Sequence, residues 1–329
     1  MKPLLTALLT LAVTAALVVY AFWEVDIAQL LALLAEGSYW VLLPFEALLA
    51  VYFACTALRW QLILRPLGRY GIGQVVPAMM IGFGGNNLLP AHLGELVRAV
   101  VFASRFGCSR SAVLTTLVVE RGFDVFAILV TYLLAVAAIE AVPDAISGGL
   151  WGSAAVLAGL ALAILAFLRF PAAFVALWQG MSRSLPVRLR ELGLRTLRGA
   201  EAGVSGLRSP VTVGGMIGYS LVKWLASGAM IWLSLWGYGV AIDPPLTLVV
   251  VAVTAVAVTI PSVPGFFGVM QAAFVFALTP FGVTQEVALA ASVFFLLAQW
   301  VPVTIAGVLF FIGARLRLGV VRREVAQRS

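Results

Sequence analysis

Residues 118–124, with the sequence VVERGFD, place three charged side chains inside a hydrophobic stretch of the chain. Glu120 and Asp124 are four positions apart and therefore share one face of a helix, whereas Arg121 points about 100° away. Lys223 lies in the middle of another hydrophobic stretch, and the four charges sum to zero. Mutual pairing would offset much of the roughly 2.5–3.5 kcal/mol that each charge costs near a bilayer centre. The set predicts either a polar substrate site or a structural brace between helices.

A second group of polar residues follows a stretch rich in glycine and asparagine. In residues 90–99, PAHLGELVRA, helical spacing predicts one polar face that contains His92, Glu95 and Arg98. Asn86 and Asn87 lie at the N-terminal side of this helix, where free backbone N–H groups and the helix dipole favour an anion. These residues therefore predict a phosphate-headgroup site, although a lone histidine is more often structural than catalytic.

A third group lies around residues 261–268, PSVPGFFG, whose prolines and glycines interrupt a hydrophobic stretch. Gly265 and Gly268 are followed by Gln271, and Gln299 lies in the last hydrophobic segment. The two glutamine side chains are uncharged donors and acceptors. They predict either hydrogen bonds to a polar substrate or bridges between helices.

Enzyme signatures are missing from the sequence. One histidine and two separated cysteines cannot form a metal-ligand cluster, so we expect no metal and no cofactor. The chain also lacks a G-x-S-x-G elbow, a P-loop and a Rossmann fingerprint. Its basic residues are spread over separate loops without a nucleic-acid-binding motif, which argues against a nucleic-acid partner. We therefore expect the protein not to be an enzyme.

The composition indicates an all-α polytopic membrane protein. Hydrophobic residues make up 63% of the chain, charged residues 11%, and the mean hydropathy is +1.08. Six segments reach the roughly 20 apolar residues that cross a bilayer core as a helix. These predicted spans are residues 4–23, 39–58, 111–139, 150–168, 211–237 and 286–312.

The loops between these spans alternate in charge. Every loop lysine or arginine falls within residues 1–3, 59–110, 169–210 or 313–329, whereas the opposite loops carry only acids. This is the positive-inside pattern, which predicts a multi-pass protein of the cytoplasmic (inner) membrane, bacterial in kind, with both termini in the cytoplasm.

Two hydrophobic stretches are not predicted to be simple spans. Residues 71–105 begin and end on the predicted inner side, and residues 82–90, GFGGNNLLP, should break the helix, with a second helix starting near Pro90. Residues 246–279 begin and end on the outer side and break at 261–268. Both predict re-entrant hairpins, which would suit an inverted pseudo-repeat like those of transporters. Two ordinary kinked helices are the alternative.

The domain organisation follows from these spans. Residues 1–329 form a single integral membrane domain. Residues 169–210 form a basic cytoplasmic loop, which is either an amphipathic helix on the inner leaflet or a solvated linker. Residues 313–329 form a basic cytoplasmic tail.

The order of these motifs resembles the lysylphosphatidylglycerol synthase transmembrane family, also called the flippase-like domain family. An asparagine-rich turn, LPAHLGELVRA, VVERGFD and PSVPGFFG follow one another over residues 40–312. The resemblance implies an integral membrane module that moves an aminoacylated anionic phospholipid between leaflets. We expect no soluble aminoacyl-transferase domain in these 329 residues, and so no synthesis of the aminoacyl lipid by this chain.

The resemblance also implies a set of site residues. The family's site positions fall on Asn86, Asn87, Pro90, Glu95, Arg98, Glu120, Arg121, Asp124, Pro264, Gly265 and Gly268. Two positions depart from the family's pattern, because His92 stands where an arginine is common and Gln271 where a glutamate is common. Both departures change the charge of the site.

The predicted function is that of a lipid flippase, which moves a phospholipid or another polar-headgroup lipid through a central polar cavity. Its predicted partners are membrane phospholipids with an anionic or modified headgroup. A homodimer and an association with a lipid-synthesising enzyme are both compatible with this prediction. The alternatives are a membrane enzyme or enzyme partner that acts on a lipid-linked substrate, and a membrane scaffold without transport.

Overall fold

The described part of the chain is built from helices alone. The computed structural model describes residues 2–23, 25–89, 92–140, 170–184, 209–259 and 263–328, together with a few residues between 152 and 194. In chain order the helices are α1 (Lys2–Phe22), α2 (Ile27–Glu36), α3 (Leu42–Leu64), α4 (Ile72–Leu88), α5 (Leu93–Phe106), α6 (Arg110–Ala138), α7 (Pro171–Met181), α8 (Pro210–Trp236), α9 (Pro244–Ala257), α10 (Val269–Leu278) and α11 (Gln285–Arg328). These residues contain no strand, which confirms the all-α prediction.

Four described segments are long and apolar enough to cross a membrane. They are Tyr39–Leu64, Pro210–Trp236, Pro264–Phe281 and Gln285–Ala314. A fifth crossing results if Ala12–Phe22 and Ile27–Glu36, bent by 83°, count as one broken span. The chain is therefore a multi-pass membrane protein. The predicted span at 111–139 forms α6 but is not among these segments, and the predicted span at 150–168 lies mostly outside the described residues. The count of six spans therefore stays a prediction.

The first predicted hairpin has its break later in the chain than expected. Residues 82–88 remain helical at the end of α4, and α5 begins at Leu93. The prediction of a break within the glycines was wrong, because their low helix propensity is offset by close helix packing. An added Cβ at Gly85 would lie 3.0 Å from the Cα of Gly94, and one at Gly94 would lie 2.1 Å from the carbonyl oxygen of Gly82. The glycines thus allow α4 and α5 to pack backbone against backbone.

Another glycine pair joins this hairpin to the last helix. A Cβ added at Gly84 of α4 would lie 2.9 Å from the Cα of Gly307 in α11. Because both residues are glycine, the two helix axes approach closely, as in small-residue contacts of membrane helices. α4 is therefore held between α5 and α11.

The second predicted hairpin breaks where proline and glycine predicted. α9 ends at Ala257 and α10 begins at Val269, with a short 3₁₀ turn at Pro264–Phe266 between them. Gly265 and Gly268 have φ angles of 81° and 83°, a left-handed region that favours glycine. The re-entrant course of this hairpin and of α4–α5, and the inverted repeat, stay predictions.

The remaining helices pack around these two hairpins. α8 contacts α3, α6, α9 and α11, while α5 packs against α6 and α1 against α10. Within the basic segment at 169–210, residues 171–181 form α7, and much of the rest of the segment lies outside the described residues. α11 runs for 44 residues, so the basic tail continues the last span as helix.

Candidate functional site

Charged side chains from four helices meet in the interior of the protein. Glu120 of α6 accepts hydrogen bonds from Arg59 Nη2 of α3 at 3.2 Å and from Arg98 Nη2 of α5 at 3.0 Å. All three residues are buried. Loss of either arginine would leave part of the buried carboxylate unpaired, which is costly away from water.

Asp124, one turn further along α6, binds a second group of donors. Its Oδ1 accepts from Arg59 Nη1 at 2.7 Å, from Lys223 Nζ at 2.6 Å and from Trp224 Nε1 at 3.1 Å. Arg59 Nη1 also donates to Ser220 Oγ at 2.7 Å. Residues Arg59, Arg98, Glu120, Asp124 and Lys223, with Glu95 and Arg121 at the edge, are called the ion network below.

Arg59 joins this network although the sequence analysis placed it in an inner loop. The predicted second span ended at residue 58, but α3 continues to Leu64 and Arg59 is 0% exposed. The apolar residues that follow, above all the buried Trp60, Ile63 and Leu64, were the signal that could have extended the helix. Placing Arg59 in a loop was wrong because its charge is neutralised inside the protein.

Ser220 and Trp224 were also missed. They stand three positions before and one position after Lys223, so Ser220, Lys223 and Trp224 lie on adjoining parts of one helix face. Once Lys223 was singled out as an intramembrane cation, this spacing could have identified Ser220 and Trp224 as its polar neighbours.

The predicted polar face of α5 is divided between different partners. Arg98 is buried, and its guanidinium lies over the Trp60 ring at 3.6 Å, in addition to its pair with Glu120. Glu95 instead pairs with Arg121. His92 precedes α5 with a φ of 54°. The predicted face shared by all three residues is wrong, because a left-handed backbone at His92 ends the helical spacing there.

A cavity of about 190 Å³ lies between the two helix breaks. Five of the predicted site residues line it, namely Asn86, Asn87, His92, Arg121 and Gln299. Its aromatic lining consists of Tyr52, Phe53, Phe83, Trp224, Phe266, Phe295 and Trp300. A few polar groups on a largely apolar wall are typical of a small-molecule or headgroup site.

The two helix breaks touch each other at the edge of this cavity. His92 Nε2 lies 3.1 Å from the carbonyl oxygen of Val258, and the His92 and Phe266 rings are 5.4 Å apart. Phe266 has a φ of 62°, and among the described residues only His92 and Phe266 combine a side chain with a left-handed backbone. Such conformations cost about 1–3 kcal/mol each and concentrate at functional sites.

Two buried polar atoms of residues that line the cavity have no hydrogen-bond partner in the described part of the chain. They are Asn86 Oδ1, an acceptor, and Trp300 Nε1, a donor. Neighbouring Asn87 uses its Nδ2 to donate to Thr304 Oγ1 at 2.9 Å and to Trp300 O at 3.3 Å. Buried polar groups are normally paired, so the two open atoms indicate room for a hydrogen-bonding guest.

The other predicted residues of the second break shape the turn rather than line the cavity. Gln271 Oε1 accepts from Gly268 N at 2.7 Å and caps α10, and Pro264 begins the 3₁₀ turn. A Cβ at Gly265 would lie 2.7 Å from Trp300 Nε1. These four residues therefore hold the backbone against the cavity wall.

The described residues contain no group of three histidine, cysteine, aspartate or glutamate side chains that could hold a metal ion. The carboxylates of the ion network are instead paired with arginine and lysine.

Comparison with known proteins identifies the family. Residues 7–307 match the family described as the lysylphosphatidylglycerol synthase TM region, and no soluble domain is shown within that range. A comparison with curated proteins finds none that matches this chain. The family match fits a membrane protein related to lipid handling. The motifs, the broken helices and the matched range lead to one conclusion, which is that the chain belongs to the lysylphosphatidylglycerol synthase transmembrane family.

Proposed function

We propose that the protein binds the headgroup of an anionic phospholipid in the cavity between the two helix breaks and moves it between leaflets. The observation that carries this proposal is the lining of the cavity, which combines Arg121, open hydrogen-bonding atoms and aromatic walls inside an apolar protein. The role is transport without covalent chemistry. Its setting is the inner membrane, with both termini in the cytoplasm.

Arg121 is the cation that is available to a phosphate. Its side chain is 50% exposed, whereas the side chains of Arg59, Arg98 and Lys223 are at most 3% exposed and are held by Glu120 and Asp124. A charge-assisted hydrogen bond from a guanidinium to a phosphate is worth about 1.5–3 kcal/mol. Arg121 therefore supplies affinity for an anionic headgroup, and the buried cations hold α6 in position.

The broken helices supply a path for the headgroup. Irregular backbone at membrane depth is tolerated where it lines a polar cavity, and broken helices in both halves of a chain are typical of transporters. The contact between His92 and Phe266 joins the two breaks. Separation of His92 from Phe266 would connect the cavity to one leaflet, while the cavity stays closed toward the other leaflet.

Lipid transfer in vesicles tests this function. Purified protein in phosphatidylcholine vesicles should accelerate the movement of fluorescent phosphatidylglycerol between leaflets, measured by dithionite quenching. Ser227→Phe places a bulky ring in the cavity and should slow transfer about tenfold or more, which corresponds to at least about 1.4 kcal/mol in the barrier. The matched control is Val118→Phe, because Val118 is 63% exposed on α6. A folded Ser227→Phe protein with the wild-type transfer rate would place the path outside the cavity.

A further inference from the structure

The ion network carries more positive than negative charge. Its cations are Arg59, Arg98, Arg121 and Lys223, and its carboxylates are Glu95, Glu120 and Asp124. Among the described residues of the network, one positive charge is therefore in excess. An uncompensated charge inside a membrane protein is expensive, and the cost falls when a counter-charge enters or a proton leaves.

Lys223 is the cation that can give up this charge. Arginine stays protonated in proteins, whereas a lysine amine that is withdrawn from water can release its proton. Lys223 is 2% exposed and its Nζ pairs with Asp124 Oδ1 at 2.6 Å. If the amine becomes neutral, Arg59 and Trp224 still donate to that same oxygen. Asp124 Oδ1 thus keeps two donors, and three cations face three carboxylates.

Few other titratable groups surround Lys223. α3 contributes Tyr52, Cys55 and Arg59, and α6 contributes Glu120, Arg121 and Asp124. Behind them, α5 contributes Arg98 and Glu95. Of the other helices packed against α8, α9 (residues 244–257) and residues 287–314 of α11 contain no acidic or basic side chain. Protonation of Glu120 or Asp124 would enlarge the excess, so the relief has to come from Lys223.

The amine also lies next to the cavity. Lys223 Nζ is 4.5 Å from the centre of the Trp224 ring and 5.0 Å from that of Tyr52. Both rings line the cavity. A headgroup in the cavity is therefore separated from Lys223 by a single layer of side chains, within the range of strong charge–charge interaction in a poorly polar interior.

We propose that Lys223 is a proton site and that the protein moves one proton together with each anionic lipid. This inference rests on the proposed function. When the cavity is empty, Lys223 is a neutral amine and the network is neutral. When an anionic headgroup binds, the amine takes up a proton, so the positive network offsets the negative headgroup. Release of the headgroup returns that proton to water, and neither form carries net charge across the bilayer.

A pH gradient across vesicles tests this coupling. In phosphatidylcholine vesicles with fluorescent phosphatidylglycerol, the labelled lipid should accumulate in the leaflet that faces the alkaline side, because protons move toward that side. Coupling of one proton per lipid shifts the leaflet ratio about tenfold for each pH unit. A potassium diffusion potential set with valinomycin at equal pH should leave the ratio unchanged. A ratio that follows the potential and ignores the pH gradient would overturn the proposal.

Two variants distinguish Lys223 from His92 as the group that carries the proton. Lys223→Arg keeps a permanent charge, so the response of the leaflet ratio to the pH gradient should be lost, whatever the effect of the substitution on the rate of lipid exchange. His92→Gln removes the histidine of the cavity and should keep the response to the gradient, whatever its effect on rate. Loss of the response in His92→Gln and its persistence in a folded Lys223→Arg protein would assign the proton to His92 and refute the proposal.

Proton uptake by the wild-type protein gives a test that needs no variant. Addition of phosphatidylglycerol to the protein in weakly buffered detergent should raise the pH reported by a soluble dye. At saturation the rise should correspond to the uptake of about one proton for each lipid bound. Binding without proton uptake would refute the role of Lys223 and leave the proposed function intact. Absence of both binding and transfer would refute the proposed function itself.

Discussion

Arg121 and Arg98 illustrate how residues of one type take different roles in this site. Both are arginines that pair with carboxylates, yet Arg121 is half exposed at the cavity whereas Arg98 is buried between Trp60 and Glu120. A buried ion pair has already lost its hydration, so its cation has little capacity left for a ligand. The exposed arginine is the one that can exchange its partner for a phosphate.

Arg121→Gln should weaken the binding of phosphatidylglycerol by about 1.5–3 kcal/mol, or at least about tenfold in Kd, because a charge-assisted hydrogen bond is lost. Arg121→Lys should recover part of the affinity, since a point charge replaces a planar fork. Native mass spectrometry of the purified variants measures both effects. Equal affinity in the wild-type and Arg121→Gln proteins would show that the phosphate binds elsewhere.

Arg98→Ala should mainly lower the free energy of unfolding. Its removal leaves Glu120 with Arg59 as its remaining cation in a buried position, and loss of one partner of such a pair costs about 3–5 kcal/mol. The control is Arg65→Ala at the exposed end of α3, which should change the free energy of unfolding by less than about 0.5 kcal/mol. Unfolding in mixed micelles measures both. An Arg98→Ala protein as stable as the wild type would mean that the ion network is not a structural element.

The helices position these residues through a break between α9 and α10 and through close packing at the glycines of α4. The sequence predicted the first of these features and not the second. Prolines and glycines predicted the break between α9 and α10, because proline restricts φ and glycine allows positive φ whatever lies around them. The glycines of α4 led to the wrong prediction of a helix break, because they remain helical and allow close contact with α5 and α11. Local propensity could not distinguish these two uses of glycine, since the difference depends on which helix lies opposite.

Gly94→Ala tests the packing of this element. An added methyl group would lie 2.1 Å from the carbonyl oxygen of Gly82, so α4 and α5 must separate and stability should fall by about 1–3 kcal/mol. Gly122→Ala in α6 is the matched control, because nothing lies within 4 Å of its added Cβ. That variant should be neutral or gain up to about 1 kcal/mol from helix propensity. Equal effects of both substitutions on the free energy of unfolding would contradict the close packing of α4 and α5.

At the scale of the whole molecule, the charge pattern predicted a multi-pass membrane protein and isolated the intramembrane charges Glu120, Arg121, Asp124 and Lys223. These four residues do come together. The pattern could not supply Arg59, because a positive charge near a span end looks the same whether it faces water or a buried carboxylate. A central polar cavity was predicted, but its full lining was not, since α3, α4, α6, α8 and α11 each contribute part of its wall.

The predicted sidedness has its own test. After replacement of Cys55 and Cys108 by serine, cysteines introduced at the exposed Arg69 and Thr284 should react from opposite sides of the membrane. Arg69→Cys should react with an impermeant maleimide only when the cytoplasmic face is open, and Thr284→Cys only from outside. Reaction of Thr284→Cys from the cytoplasm would contradict the assignment that α9–α10 enters from the outer side.

The most direct measurement of the central claim is a cryo-electron microscopy structure in nanodiscs that contain phosphatidylglycerol. We expect a lipid phosphate within hydrogen-bonding distance of Arg121, between His92 and Trp300 and inside the aromatic walls. A groove of about 530 Å³ between α6, α8 and α9, lined almost entirely by apolar side chains, offers a contrasting place for lipid. Ordered phosphatidylglycerol in that groove, with the cavity holding water alone, would contradict a headgroup site at Arg121.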